Sequence, residues 1–303
     1  MATQLLTELE DNGVIVLPQL VSQDQLTRMQ KAFGARLQRM RWNDVDGYVT
    51  NEPSRHFVTD LLTVDQAFLE VALDPVLKEL LRGYIGTTFE LVEAKGWLSV
   101  PARLDYHGWH SDSWYDPENS PGIPRELKLG VYLTDVRNGA FNYLRGTHRK
   151  YSARVYREGD LPDFPADMFM EIAGPPGTAF LFDTSGIHRQ SMPILDPRWA
   201  FFLVYHDPDV PLLREDLDYY RYHPLLLNAA FLSNLTEEDQ RILGFGSKVG
   251  YREAFDHRID HPRFEKIIRT TFDVQLRAAD VTRRIATKVS HSLRQVFRPG
   301  KVR

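Results

Sequence analysis

Cysteine is absent from this 303-residue sequence, and its absence removes several classes of chemistry at once. Without a thiol there is no disulfide framework, no thiolate zinc site, no iron–sulfur cluster and no cysteine nucleophile. Any metal that the protein binds must therefore be held by histidine and by carboxylates.

The sequence also lacks a long apolar run and a strong charge of either sign. No segment reaches the roughly 20 apolar residues of a transmembrane helix. The first residues, MATQLLTELEDNG, include early acidic residues where a signal peptide has an apolar core. The formal net charge of −4 gives no electrostatic reason to expect a nucleic-acid partner. We therefore expect a cytoplasmic protein that neither spans a membrane nor binds nucleic acid.

What the sequence does contain is the pattern of a β-rich core with flanking helices. Hydrophobic residues make up 43% of the chain and aromatic residues 12%, an ordinary globular composition. Capping residues and helical spacing predict helices over residues 22–38 and 75–84. Runs of strand composition lie at residues 14–17, 91–100, 127–134, 178–182 and 199–205. Gly and Pro cluster between the later runs, which favours a β-sandwich or jelly roll over alternating βαβ units.

These elements predict one domain in three parts. Residues 1–87 form a mixed helical N-terminal part, residues 88–210 the jelly-roll core, and residues 211–303 a helical extension. The extension includes one long candidate helix, residues 273–297, whose last part is basic. We interpret the basic stretch as a solvated helix face with a frayed tail; a membrane-surface or partner contact is the alternative.

One short segment, Trp109-His110-Ser111-Asp112, carries the first chemical signal. Side chains two residues apart in a strand point to the same face, so His110 and Asp112 would present an imidazole and a carboxylate together. They would form two thirds of a 2-His-1-carboxylate triad, whose open positions suit non-haem iron(II) and oxygen. Taken alone the pattern is weak, because a surface histidine beside a turn aspartate explains it equally well.

Later residues supply a third ligand and a cation. A turn and a buried strand lead through a short loop to His188, 76 residues after Asp112. Ten residues further on, Arg198 enters an apolar strand, where a guanidinium could pair bidentately with the carboxylate of a dicarboxylic co-substrate. The competing interpretation of Arg198 is a salt bridge to Asp196 or Asp207.

In their order along the chain, these motifs resemble the phytanoyl-CoA dioxygenase family of iron(II)/2-oxoglutarate oxygenases. The resemblance spans about residues 10–210 and implies a mainly β fold with a double-stranded β-helix core, the cupin-like jelly roll. It rests on Trp109-His110-x-Asp112, the strand 130–135, Asn138-Gly139-Ala140 followed by residues 144–148, the strand before His188, and Arg198.

The resemblance also implies roles for individual residues. Fe(II) would be held by His110, Asp112 and His188. The far carboxylate of 2-oxoglutarate would be held by Arg198, with Ser191 and Arg55 as further co-substrate residues. The retained carboxylate of Asp112 argues for hydroxylation over halogenation.

Other residues near these motifs receive structural interpretations. His148 closes a Gly-Thr-His turn and is expected to shape that turn. Most aromatic residues around His110 are expected to pack in the core. Lys95, Arg103 and Lys128 are interpreted as solvated charges in preference to contacts with an acidic substrate.

The prediction is thus a dioxygenase that uses Fe(II), 2-oxoglutarate and O2 to hydroxylate, or otherwise oxidise, an unactivated C–H bond of a small molecule. We expect a tailoring step in natural-product or secondary metabolism. Two alternatives stay open: a cupin-like metal oxygenase independent of 2-oxoglutarate, which has no need of Arg198, and a non-catalytic jelly-roll binding protein. The C-terminal helices could cover the site or form a homodimer interface.

Overall fold

The structure is a computed structural model, and it describes seven stretches of the chain together with Val274 and Ala278. The stretches are residues 2–39, 55–103, 108–112, 125–149, 155–156, 161–208 and 225–245. The chain divides into two compact units, Met1–Ala254 and Phe255–Arg303. The candidate helix 273–297 lies outside the described residues except for two helical positions, so the three-part domain organisation stays a prediction.

The described residues form eleven strands in two antiparallel sheets. The strands are β1 (Val14–Leu17), β2 (Arg55–Val58), β3 (Glu90–Ser99), β4 (Trp109–His110), β5 (Glu126–Tyr132), β6 (Val136–Leu144), β7 (Val155–Tyr156), β8 (Phe169–Gly174), β9 (Ala179–Asp183), β10 (His188–Gln190) and β11 (Arg198–His206). The six-stranded sheet has the order β1-β9-β5-β11-β3-β2, and the five-stranded sheet the order β7-β4-β10-β6-β8. This mainly β architecture agrees with the predicted jelly roll.

Helices flank the six-stranded sheet. They are α1 (Ala2–Asn12), α2 (Gln23–Arg39), α3 (Leu61–Val64), α4 (Gln66–Ala72), α5 (Pro75–Tyr84) and α6 (Glu237–Ile242). Helix α5 begins where Asp74 accepts hydrogen bonds from the amides of Val76 and Leu77 at 2.8 and 3.2 Å, with Pro75 in its first turn. Its bounds are those predicted from the sequence. No helix in the described part of the chain has the length and apolarity that a membrane crossing requires.

The six-stranded sheet has two different faces. On β5, Leu127, Leu129 and Val131 point to the helices and join the larger hydrophobic core. The alternate residues of the same strand, including Lys128 and Tyr132, point to the other sheet. We call this second side the interior face, because it encloses the aromatic cluster between the sheets.

Two strands of the six-stranded sheet come from outside the predicted core. β1 pairs with β9, and β2 pairs with β3, although both precede residue 88. The sheet therefore draws on the part of the chain that the sequence indicated as mixed and helical.

Candidate metal and co-substrate site

A short antiparallel pairing brings two histidines together. His188 at the start of β10 is the register partner of His110 at the end of β4, and their ring centroids lie 4.5 Å apart. In each ring Nδ1 faces a backbone carbonyl two residues earlier, Gly108 O at 3.0 Å and Gly186 O at 2.9 Å. A carbonyl accepts only from a protonated Nδ1, so both Nε2 atoms are left as the ligand atoms.

Asp112 completes the group. Its Oδ1 lies 3.4 Å from His110 Nε2, and its Oδ2 lies 3.6 Å from His188 Nε2. One ligand atom from each of the three residues lies within 4.8 Å of the others. The amide of Asp112 donates to Thr184 O at 2.9 Å, which ties this segment to the loop before His188. Two imidazoles and a carboxylate form the donor set of a mononuclear non-haem iron(II) site.

The charge states of the group suit metal binding. Burial opposes ionisation of Asp112, but the charge of Lys128 and the hydrogen bonds from the two histidines outweigh it and hold the pKa of Asp112 well below its usual range. Burial, together with the nearby His110, lowers the pKa of His188. For His110, burial again acts to lower the pKa, but Asp112 outweighs it and the pKa is raised. The carboxylate is therefore ionised and His188 neutral, the forms that a metal ion needs.

Aromatic rings fix His188 in place. Tyr143 lies nearly parallel to the imidazole, at 11° and 6.3 Å between centroids, and Phe182 meets it edge-on at 5.0 Å. Phe141 lies 5.6 Å away on β6. His188 is buried among these rings, which restrict both the motion of the imidazole and the access of water.

Asp183 organises the loop that carries His188, a role that the sequence analysis did not assign. Its carboxylate accepts from Tyr84 Oη at 2.6 Å and from the amide of Ser185 at 2.8 Å. Thr147 Oγ1 accepts from the amide of Ile187 at 2.9 Å. An aspartate at the end of an otherwise apolar strand was the available signal, because such a residue needs buried partners.

His148 has the structural role that was predicted for it. Its Nε2 lies 3.2 Å from Glu10 O, so this side chain joins the turn after β6 to α1. Trp109 is also a packing residue, buried with Leu144 and Ile187. The aromatic residues Tyr106, Trp114 and Tyr115 lie outside the described residues.

Arg198 is a buried cation whose described partners are all neutral. The side chain is 4% exposed, and burial lowers its pKa to about 10. Nη1 donates to Gly139 O, and Nη2 lies 3.5 Å from Ser99 Oγ. Among the described residues no carboxylate pairs with Arg198. Asp196, one of the two proposed salt-bridge partners, instead accepts from Asn138 at 2.9 Å.

A second arginine, Arg55, lies on β2, which is separated from β11 by β3. Ser99 of β3 is the register partner both of Arg198 in β11 and of Arg55 in β2. Nη2 of Arg55 donates to Gln190 Oε1 at 3.2 Å, and its charge contributes to the lowered pKa of Arg198. We call Arg55, Ser99 and Arg198 the arginine end of the interior face. Gln190 follows His188 by two residues on β10, so it connects this end to the histidines.

Ser191 follows β10 and is partly exposed. Its amide donates to Ala140 O at 2.7 Å, which fixes the backbone at this point. A role for its hydroxyl in holding the co-substrate stays a prediction.

Two of the three lysine and arginine side chains interpreted as solvated are not. Lys128 contacts Oδ2 of Asp112 and is 14% exposed, so its predicted solvated position is wrong. Lys95, also 14% exposed, lies with its Nζ 2.5 Å from Glu93 Oε1. Arg103 is exposed, as expected. The sequence pattern shows which lysines share a strand face, but not that a second sheet covers that face.

Glu126 joins these charges. Its Oε1 accepts from Thr184 Oγ1 at 2.9 Å, and it lies on β5 two residues before Lys128. Burial raises the pKa of Glu126 to about 7, against the opposing effect of Lys128. We call Glu93, Lys95, Glu126 and Lys128 the mixed-charge end of the interior face.

The profile of one protein family, phytanoyl-CoA dioxygenase (PhyH), matches residues 9–191, more than half of the chain. The chain belongs to the phytanoyl-CoA dioxygenase family. Membership confirms the predicted family and its enzyme class, a non-haem iron dioxygenase with iron and 2-oxoglutarate as cofactors and a small-molecule substrate.

Individual members of the phytanoyl-CoA dioxygenase family are similar over most of their length. An ectoine dioxygenase of Sphingopyxis alaskensis is 26% identical over 225 residues, 64% of this chain and 72% of the relative. A crystal structure of EctD from S. alaskensis with bound Fe has a TM-score of 0.55 at 26% identity, covering 70% of this chain and 79% of that one. A second EctD structure, with 2-oxoglutarate and 5-hydroxyectoine, has a TM-score of 0.58 at 24% identity and covers 78% and 85%. The jelly-roll fold class is thereby confirmed.

Proposed function

We propose that this dioxygenase oxidises a C–H bond of a small molecule at a metal centre formed by His110, Asp112 and His188, with 2-oxoglutarate anchored at the arginine end. The observation that carries the assignment is the buried guanidinium of Arg198, which has no carboxylate partner among the described residues. A buried cation is unfavourable unless an anion compensates it. The distal carboxylate of 2-oxoglutarate supplies that anion.

Each residue of the site has a definable task. Iron(II), when bound with 2-oxoglutarate, supplies the oxygen activation that oxidises an unreactive C–H bond. His110, Asp112 and His188 would hold the ion through two imidazole nitrogens and a carboxylate oxygen. Arg198 offers two parallel N–H donors to a carboxylate, and Arg55 adds a second positive charge.

The orientation of the co-substrate follows from the strand register. Gln190 contacts Arg55 and lies on the same face of β10 as His188. A dicarboxylic acid with one end at the arginine end therefore directs its other end to the histidines. Phe141, Phe182 and Tyr143 limit the access of water on the other side of His188.

The same arginine disfavours the alternative of a metal oxygenase without 2-oxoglutarate. In such an enzyme no co-substrate carboxylate would compensate the buried charge of Arg198. A tailoring step in natural-product metabolism, a cytoplasmic location and a homodimer through the C-terminal helices stay predictions. Those helices belong to the part of the chain that the structure does not describe.

An anaerobic titration tests the assignment. Metal-free protein receives iron(II) and then 2-oxoglutarate, and the weak visible charge-transfer band of the chelate is recorded. We expect a band in the wild type, no band in His188→Ala and a weaker band in Arg198→Met. Arg137→Met is the matched control, because this arginine is 83% exposed. Iron binding without a band in the wild type would favour the alternative enzyme, and no iron binding would refute the metal centre.

A further inference from the structure

The mixed-charge end forms a compact group on neighbouring strands. Val204 of β11 is the register partner of Glu93 in β3 on one side and of Lys128 in β5 on the other. Lys95 follows Glu93 by two residues and so lies on the same face. The group therefore crosses the centre of the six-stranded sheet and faces the five-stranded sheet that carries both histidines.

The group adjoins the metal centre directly. Lys128 contacts Asp112. Glu126 accepts a hydrogen bond from the hydroxyl of Thr184, and the carbonyl of Thr184 in turn accepts from the amide of Asp112. A ligand seated on these side chains thus lies beside the proposed iron ligands. This proximity is what a substrate requires, since the bond to be oxidised must lie close to the metal.

A pair of aromatic rings separates this group from the arginine end. Trp97 and Phe202 stack at 4.4 Å with an angle of 11° between their planes. Along β3, Trp97 lies midway between Lys95 and Ser99, which are roughly 13 Å apart at the rise of an extended strand. The interior face therefore offers two charged positions that one small molecule does not fill together.

The lysines of the mixed-charge end are largely withdrawn from solvent and contact acids: Lys95 contacts Glu93, and Lys128 contacts Asp112. Glu93 is 4% exposed, and the side chains of Lys95 and Lys128 are each 14% exposed. Buried ion pairs are often no more stabilising than apolar residues of the same volume, so packing alone gives no reason for four charged residues here. Recognition of a polar ligand does give such a reason.

We propose that the mixed-charge end binds the substrate, and that the substrate is a small zwitterion with a cationic nitrogen and an anionic group. The inference rests on the proposed function, because it takes the arginine end to be occupied by 2-oxoglutarate. Glu93 and Glu126 offer acceptors to the cationic nitrogen, and Lys95 offers a donor to the anionic group. Two acids and two lysines balance, whereas the phosphates of an acyl-CoA would require an excess of positive charge.

The first experiment is a substrate-class comparison with iron-loaded enzyme at saturating 2-oxoglutarate. The probes are three zwitterions (ectoine, L-proline and glycine betaine), one anion (hexanoate), one cation (hexylamine) and octanoyl-CoA. The readout is succinate formed above the rate without any probe. We expect at least one zwitterion to stimulate about tenfold more than the anion, the cation or the thioester. Greater stimulation by any of these three, or none by the zwitterions, would overturn the proposal.

A charge-swapped pair separates recognition from packing. Glu93→Lys combined with Lys95→Glu keeps an ion pair at the same place but exchanges its ends. A merely structural pair would tolerate the exchange. Recognition would not, so we expect the KM for the stimulating zwitterion to rise about tenfold or more while the KM for 2-oxoglutarate stays within about twofold. Unchanged KM for the zwitterion would contradict the proposal.

Two single variants show whether a change in KM comes from lost recognition or from loss of the fold. Glu93→Gln and Lys95→Met each remove one charge, and the exposed Glu79→Gln is the control. Each variant is first shown to form the iron–2-oxoglutarate band and to melt cooperatively. If the wild type forms no band, the proposed function fails. If the band forms and Glu93→Gln and Lys95→Met leave the KM for the zwitterion within about twofold, only the assignment of the mixed-charge end fails.

Discussion

The arginine end and the mixed-charge end share one sheet face, but they compensate their buried charge differently. At the arginine end the described partners of Arg198 are a carbonyl and a hydroxyl, and we propose that a ligand supplies the negative charge. At the mixed-charge end Lys95 lies against Glu93, and Lys128 against Asp112. The comparison teaches that an unbalanced buried charge indicates the sign of a ligand. A balanced group, which has no excess charge of either sign, favours a polar ligand without net charge.

The strongest test of this difference is to remove the unbalanced charge of Arg198. Arg198→Met should raise the KM for 2-oxoglutarate about 100-fold, or about 2.7 kcal/mol, because the distal carboxylate loses a bidentate partner in a buried place. Arg198→Lys keeps the charge without the planar fork and should recover only part of the loss. Steady-state kinetics measure both values. An unchanged KM in Arg198→Met would show that the arginine end does not hold the co-substrate.

The next largest effect concerns the balanced charges. Lys128→Met should lower the free energy of unfolding of the metal-free protein by about 2 kcal/mol, because it leaves the carboxylate of Asp112 without its nearest cation. Iron(II) should restore most of that loss, since the metal supplies the missing positive charge. Urea unfolding with and without iron(II) measures both terms, with the exposed Lys31→Met as control. Equal losses with and without iron would argue against the proximity of Lys128 to the metal.

A smaller effect tests whether the hydrogen bonds of Asp183, which support the loop before His188, act independently of the two charged ends. Tyr84→Phe removes the buried hydrogen bond to Asp183 and should lower the free energy of unfolding by about 1.5 kcal/mol. Tyr205→Phe is the matched control, because its hydroxyl donates to a neutral acceptor, Ala72 O at 2.8 Å, and about 1 kcal/mol is expected. The KM for 2-oxoglutarate should change in neither. A changed KM would show that the hydrogen bonds of Asp183 influence the arginine end.

The smallest expected effect is on the pH dependence of stability. Burial raises the pKa of Glu126 from its ordinary 4.5 to about 7, so between these values the folded protein holds a proton that the unfolded chain releases. This contribution to stability is present below pH 4.5 and is lost as the pH rises through 7. Glu126→Gln should abolish this decline in the stability of the metal-free protein. Urea unfolding at several pH values measures this decline. The same pH dependence of the free energy of unfolding in the wild type and in Glu126→Gln would show that Glu126 is solvated.

The helices and strands predicted most reliably from the sequence are those that local patterns determine. The helix over residues 75–84 and the strand around residues 199–205 are close to α5 and β11, because capping, spacing and apolar runs act locally. β6 was not predicted as a strand: Arg137, Asn138 and Gly139 interrupt its apolar pattern, and the pairing with β8 is irregular between Val136 and Phe141. A bulge of this kind has no simple sequence period.

The candidate site divides in the same way. The spacing of His110 and Asp112 and the family motif were sufficient to predict that these two residues lie close to His188. The co-substrate roles of Arg198, Arg55 and Ser191 stay predictions. The burial of Lys128 could not be predicted, because strand alternation states only that it faces away from Leu127 and Leu129. Whether that face meets water or a second sheet depends on contacts between residues far apart in the sequence.

The pairing of β1 with β9 has a consequence for how the protein is made. Val14 is the register partner of Phe182, and Gly13 O accepts from the amide of Asp183 at 2.8 Å, at the start of the loop that leads to His188. The strand β1 therefore pairs with a strand that is synthesised more than 150 residues later. Contacts of such long sequence separation form slowly. The nascent chain therefore cannot bring the three metal ligands together before His188 has been synthesised, so the metal site depends on this long-range pairing.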